Sequence, residues 1–162
     1  MSANGDIHPG APGVVPLEKL KQLSGLELLQ GMRDGINPQA PIGHEMGFRA
    51  ETVEPGRVIF AGHPSRRFYN PIGSVHGGFA LTLLDSCMSC AVQTHLPAGK
   101  GYTTVEIKTN FVRAMTDKTG KVYAEGKSIQ VGQRIGTAEG RITDEKGNLL
   151  AFGTTTCLIF DL

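Results

Sequence analysis

The most informative pattern in the chain is a break in its polarity: between residues 77 and 95 there is one charged side chain before the histidine, Asp85, and no Gly or Pro falls between Phe79 and Leu96. This length exceeds an ordinary strand, and residues apolar almost all round predict a helix enclosed by protein. At ~1.5 Å per residue the segment is too short, and too polar, to span a bilayer. Beyond it the period changes. Val105, Ile107, Thr109 and Phe111 alternate with Glu106, Lys108 and Asn110, which predicts a strand with one covered face. Three further strands are expected over residues 121–130, 134–143 and 149–160, separated by Asp117-Lys118-Thr119-Gly120, Val131-Gly132-Gln133 and Asp144-Glu145-Lys146-Gly147-Asn148. Turns this short imply antiparallel neighbours. Gly126, Gly136, Gly140 and Gly153 fall inside these strands and read as bulges or bends in a curling sheet.

Upstream, residues 47–63 suit a hairpin turning at Glu54-Pro55-Gly56-Arg57. Leu17, Leu20, Leu23 and Leu26 recur at helical spacing after Pro16, with Gly25 and Gly31 expected to break the helix before a loop from Asn37-Pro38 to Pro41. The chain therefore reads as α+β, with a curved antiparallel sheet of about five to six strands around one long central helix. Residues 1–15, rich in Pro, Gly and Ala, read as a flexible arm, and residues 16–162 as a single domain.

Composition narrows the partners. Sixteen Lys plus Arg against fifteen Asp plus Glu leave a net charge of +1, so no bulk field recruits nucleic acid or an anionic membrane. The opening residues lack the basic and apolar regions of a secretory signal, which makes the cytoplasm the expected location. Three cysteines, Cys87, Cys90 and Cys157, do not make a disulfide framework and are expected as free thiols. Cys87-Met88-Ser89-Cys90 has redox or zinc spacing but lacks an exposed helix start and a second ligand pair, so it reads as buried thiols on a helix, with no metal and no bound cofactor expected. The stretch from Gly120 to Gly126-Lys127-Ser128 is one residue too long for a phosphate-binding loop and leads into a strand. His76-Gly77-Gly78 lacks the downstream G-x-S-x-G that an α/β-hydrolase requires.

A loop, Asn70-Pro71-Ile72-Gly73-Ser74-Val75-His76, then two glycines, then a helix with one carboxylate remain to be explained. Glycines at a helix start leave N–H groups bare at the positive end of the dipole, so Gly77 N–H is a candidate oxyanion donor. A carboxylate on an otherwise apolar helix costs several kcal/mol unless paired, hydrogen-bonded or solvated, which singles out Asp85. Eight residues separate Gly77 from Asp85, ~12 Å along one helix. Reacting groups must lie within ~3–3.5 Å of each other, so if both serve one substrate, Asp85 comes from a second subunit and the protein is an obligate dimer of antiparallel helices.

N-P-x-G-x-x-H-G-G followed by L-L-D, together with Thr104-Val105-Glu106, resembles the hotdog-fold thioesterases of the PaaI-like (phenylacetate-pathway) group over roughly residues 43–160. The resemblance implies a curved sheet around a central helix, homodimers or homotetramers made by pairing dimers, and acyl-coenzyme A substrates. It further implies that Gly77 donates to the thioester oxygen, with Gly78 beside it, that Asn70 stands near the same thioester, and that His76 orients the loop. Asp85 of the facing subunit would be nucleophile or general base, with Ser89 and Thr104 placing water. Arg113, Lys127 and Arg134 are candidates for the coenzyme A phosphates. Two other readings are compatible with this pattern: hydration or dehydration of an enoyl thioester, and a non-catalytic module that binds an acyl thioester.

Overall fold

The computed structural model describes residues 10–162. The first nine residues of the N-terminal arm lie outside the described residues. Residues 11–13 run beside Gln39, whose backbone exchanges hydrogen bonds with Ala11 and Gly13, and Val15 is buried. Four helices follow as α1 (Leu17–Leu20), α2 (Gly25–Arg33), α3 (Pro41–Met46) and α4 (Gly77–Gln93), with six strands: β1 (Phe48–Glu54), β2 (Arg57–Gly62), β3 (Lys100–Phe111), β4 (Val122–Val131), β5 (Ile135–Asp144) and β6 (Leu149–Asp161). The strands form one antiparallel sheet in the order β1-β2-β4-β5-β6-β3. This is the α+β hotdog arrangement: α4 fills the concave face, and β3, the first strand after it, crosses to the far edge beside β6.

The leucine periodicity at the front does not form one helix. Ser24 accepts from the Glu27 N–H while the Glu27 carboxylate takes the Ser24 N–H, a capping box that starts α2 afresh. Its buried residues are Gly25, Leu28, Leu29 and Gly31, while Leu17 is half exposed. Gly31, expected to break the helix, lies inside it because Asn37 occupies the space where a side chain would stand and donates to Leu28 O. The β1–β2 hairpin turns at Pro55-Gly56 as expected, with Gly56 at a φ of 75°.

Phe79, Leu83, Leu84 and Met88 of α4 are essentially fully buried, against Val122, Ala124, Ala138, Ile142, Ala151 and Cys157 of the sheet. Each large side chain removed from water contributes roughly 1.5–3 kcal/mol. The strand glycines serve this packing and are not the bulges that their place in the strands suggests. The bulges lie elsewhere, between Ala50 and Thr52, Thr104 and Glu106, Ser128 and Gln130, and Ile142 and Thr143. Gly126, Gly140 and Gly153 are in regular register across β4, β5 and β6. A Cβ on Gly126 would run into the Cys87 carbonyl and lie 2.6 Å from Met88 N; on Gly140 it would lie 2.6 Å from Met88 Cγ, and on Gly136 it would run into Val92 Cγ1. Three of these glycines therefore let the helix backbone approach the sheet.

Gly126→Ala is expected to cost ~3 kcal/mol, because a methyl group meets backbone that cannot rotate away. Gly132→Ala, whose methyl would lie 3.4 Å from Ile135 O, is expected to stay within ~0.5 kcal/mol. Urea unfolding of both variants measures the contrast.

Candidate active site

The loop before α4 is built by its own side chains. Asn70 Oδ1 accepts from Ile72 N (3.1 Å) and Ser74 N (3.2 Å), and its Nδ2 donates to Ser74 Oγ (2.9 Å). Gly73, at a φ of 88°, completes the turn. The loop ends are tied to the body of the protein where His76 N donates to Phe68 O and Val75 N to Met115 O. Within this chain Asn70 thus shapes the loop leading to the helix.

His76 is the N-cap of α4, its Nδ1 accepting from Gly78 N at 2.8 Å. Phe79 N turns back to His76 O. The cap consumes the Gly78 donor and leaves the Gly77 N–H without a protein acceptor among the described residues, at the positive end of a 17-residue helix. A side chain at Gly77 would meet the Phe111 ring, 2.9 Å from its Cζ, so the glycine also makes room for a half-exposed aromatic beside the free donor.

Two turns along α4 the second group of residues comes together. Asp85 is half-buried, and Thr104 Oγ1 on β3 donates to its Oδ1 at 2.8 Å. Ser89 Oγ donates to the Asp85 carbonyl at 2.6 Å and lies 3.1 Å from the Tyr102 hydroxyl. Asp85, Ser89 and Thr104 therefore share one corner between α4 and β3, while Asn70, His76, Gly77 and Gly78 form another at the helix start. The eight-residue offset keeps the two corners ~12 Å apart within a protomer.

Two features of this corner escaped the sequence reading. The alternation over residues 105–111 places Val105 on the covered face, but a bulge at Val105 shifts the phase: Val105 is 56 % exposed, and Tyr102 and Thr104 point inward on one side of the bulge as Ile107 does on the other. Period-two counting backwards from Thr104 would have found Tyr102. Nor is α4 enclosed all round. Gly77, Gly78, Leu81, Thr82, Asp85 and Ser86, spaced by three or four residues, form a stripe its own sheet leaves open. Thr82 and Ser86 satisfy their hydroxyls on the carbonyls of Gly78 and Thr82, four residues back.

The cysteines are inert. Cys87 and Cys157 have no solvent exposure, and burial pushes all three thiols up, Cys90 to about 12, which keeps them protonated. The cationic candidates for coenzyme A are dispersed. Lys127 lies on the convex face of β4, 3.5 Å from Glu125; Arg113 follows β3, and Arg134 sits in the β4–β5 turn, at the opposite end of β5 and β6 from Arg113. One protomer does not gather them around a single phosphate. The convex face also carries a depression lined by Glu125, Lys127, Glu139, Arg141 and Phe152, on the opposite side of the sheet from Asp85.

Residues 72–151, which include both corners apart from Asn70, match the model of the Thioesterase superfamily. A 1,4-dihydroxy-2-naphthoyl-CoA hydrolase of Listeria monocytogenes is 24% identical over 114 residues, 70% of this chain and 91% of the relative. Among solved structures, a putative thioesterase described as a phenylacetic acid degradation-related protein, from Ralstonia eutropha JMP134, superposes with a TM-score of 0.74 at 22% identity, covering 81% of this chain and 98% of that one. The protein smu.793 of Streptococcus mutans UA159, solved bound to acetyl CoA, gives a TM-score of 0.64 at 20% identity over 71% of this chain and 90% of that one. The matched segment, the curved sheet and the helix it holds place this chain in the thioesterase superfamily as a hotdog-fold member.

Proposed function

We propose that the protein hydrolyses acyl-CoA thioesters to the free acid and coenzyme A at sites shared between two copies of the chain. The observation that carries this reading is the pairing on one helix of an uncommitted Gly77 N–H with a carboxylate held by Thr104, too far apart to act on one carbonyl within a protomer. An antiparallel partner helix laid on the open stripe of α4 brings the Gly77 end of each copy to the Asp85 of the other. The edge strand β3 supplies the apolar surface for such a contact, with Val105, Phe111 and Val112 each more than half exposed.

The chemistry follows from charge development. As an oxygen attacks the thioester carbon, the carbonyl oxygen becomes an oxyanion, and the Gly77 N–H with the α4 dipole stabilises it more than the neutral ground state. Asp85, across the interface, delivers or activates the attacking oxygen. The thiolate of coenzyme A leaves when the tetrahedral intermediate collapses. The name of the Listeria relative and the acetyl CoA bound to the Streptococcus neighbour support coenzyme A as the thiol carrier. A naphthoyl group in that relative's name makes aromatic acyl groups the first to try, beside short and medium aliphatic ones.

A panel of acyl-CoAs assayed for released thiol should show turnover, and Asp85→Asn should reduce it by ~10²–10⁴ with the fold retained. No thiol release from any of them would end the hydrolase reading, and loss of enoyl absorbance from crotonyl-CoA without thiol release would replace it with hydration. Gly77→Pro removes the N–H at a helix position that tolerates proline, behind a residue already extended at φ −59°, ψ 139°; the half-exposed Phe111 ring must turn aside for the new side chain, and turnover should fall by ~10²–10³. Refolding the two inactive variants together should restore about a quarter of wild-type activity, because half the dimers are mixed and each mixed dimer has one intact site. Unmixed and mixed samples equally inactive would place both groups in one protomer's site or in none.

Val105→Arg should split the assembly, shifting the sedimenting mass from a multiple of 17.3 kDa to the monomer and abolishing turnover. A fully active monomeric wild type would contradict the shared site.

A further inference from the structure

Resting on the hydrolase reading, we infer that Tyr102 is a positioning residue: its hydroxyl donates to Ser89 and so fixes Ser89 as an acceptor for the hydrolytic water, on which Asp85 acts as general base. The direction of each hydrogen bond follows from what its atoms can do. Ser89 Oγ lies 2.6 Å from the Asp85 carbonyl, and a carbonyl only accepts, so the single hydrogen of Ser89 is committed there. The 3.1 Å contact between Ser89 Oγ and the Tyr102 hydroxyl then has one arrangement left, with Tyr102 donating. The Cys90 thiol also lies by the Tyr102 hydroxyl, but sulfur is the weaker acceptor, and this thiol stays protonated. On the other side of the carboxylate, the hydrogen of Thr104 is spent on Asp85 Oδ1.

The hydroxyl hydrogens of Ser89, Tyr102 and Thr104 are therefore all committed, and what remains to accept at this corner is lone pairs: one on Ser89 Oγ, which is buried, and those of Oδ2 on the half-buried Asp85. A water bound between them donates both of its hydrogens, one to each, and its own lone pairs turn outward to the place where the partner's helix start presents the thioester. That is the orientation attack requires. The water oxygen bonds to the carbonyl carbon, its proton passes to Asp85 Oδ2, and the π pair moves onto the oxyanion at the Gly77 N–H. Collapse re-forms the carbonyl and breaks the carbon–sulfur bond, and the coenzyme A sulfur takes the proton back from Asp85. The net change is one water consumed, one acid and one thiol released.

Without the Tyr102 hydroxyl, Ser89 keeps its oxygen but loses the partner that holds its orientation, and the water's attitude is no longer set. Tyr102→Phe is expected to lower kcat about tenfold, the scale of one hydrogen bond, with KM unchanged and a melting temperature lower by no more than a few degrees. Ser89→Ala should lower kcat at least as much, and the double variant should match Ser89→Ala alone, since Tyr102 acts only through Ser89. A purely structural Tyr102 would lower the melting temperature and leave kcat alone. Single-turnover hydrolysis in heavy-oxygen water should leave the peptide containing Asp85 unlabelled. Wild-type kcat in Tyr102→Phe, multiplying losses in the double variant, or label in the Asp85 carboxylate would each overturn the inference while leaving the hydrolase reading in place. A wild-type protein that releases no thiol would remove the hydrolase reading itself, and this role with it.

Discussion

The approach of α4 to the concave face of the sheet sets the position of everything else. A helix normally packs at a distance set by the side chains between the two surfaces, but here Gly126, Gly136 and Gly140 remove those side chains where the helix crosses β4 and β5. The Cys87 carbonyl and the Met88 and Val92 side chains occupy the vacated space. Close packing also fixes how α4 is rotated about its axis, since Phe79, Leu83, Leu84 and Met88 must all face the sheet together. Once that rotation is set, Asp85 has little choice: it faces the seam between α4 and the edge strand β3.

The seam explains how a carboxylate persists on this helix. Asp85 is neither sealed in nor freely solvated, and the Thr104 hydroxyl compensates part of the water it gives up. The bulge at Val105 matters here, because it changes the phase of β3 so that Tyr102 and Thr104 reach α4 while the strand still returns Ile107 to the core. One inserted residue thus serves both ends of the strand and leaves Val105 itself pointing outward on the sheet edge. The polar corner and the apolar edge patch have a common cause.

At the other end of the helix the logic is subtraction. Asn70 uses its side chain to close the loop, and His76 uses one ring nitrogen to cap the helix, so that among the described residues the backbone donor left free at the helix start is Gly77 N–H. An anion-seeking group is most effective where nothing nearby competes for it. The two corners cannot meet within one chain because the rigid rod that carries both holds them apart.

The elements and the odd residues are legible in the linear chain. Alternation and turn chemistry located the hairpin and the four strands beyond α4 to within a few residues, except that β3 starts earlier, and the polarity gap located α4; the glycines at the helix start stood out for their bare N–H groups and Asp85 for its cost on an apolar helix. These features are local, so a local pattern records them. Tertiary structure alone decided the phase of β3, the use of the strand glycines as contact surface rather than as bulges, and the split of the front leucines into two helices at the Ser24 cap. It also decided that Tyr102 joins Ser89 and that the cationic side chains do not converge. Each of those depends on which residues, distant in the chain, come to share a neighbour. A bulge or a close approach is stabilised by what packs across it, and that partner is invisible until the chain has folded.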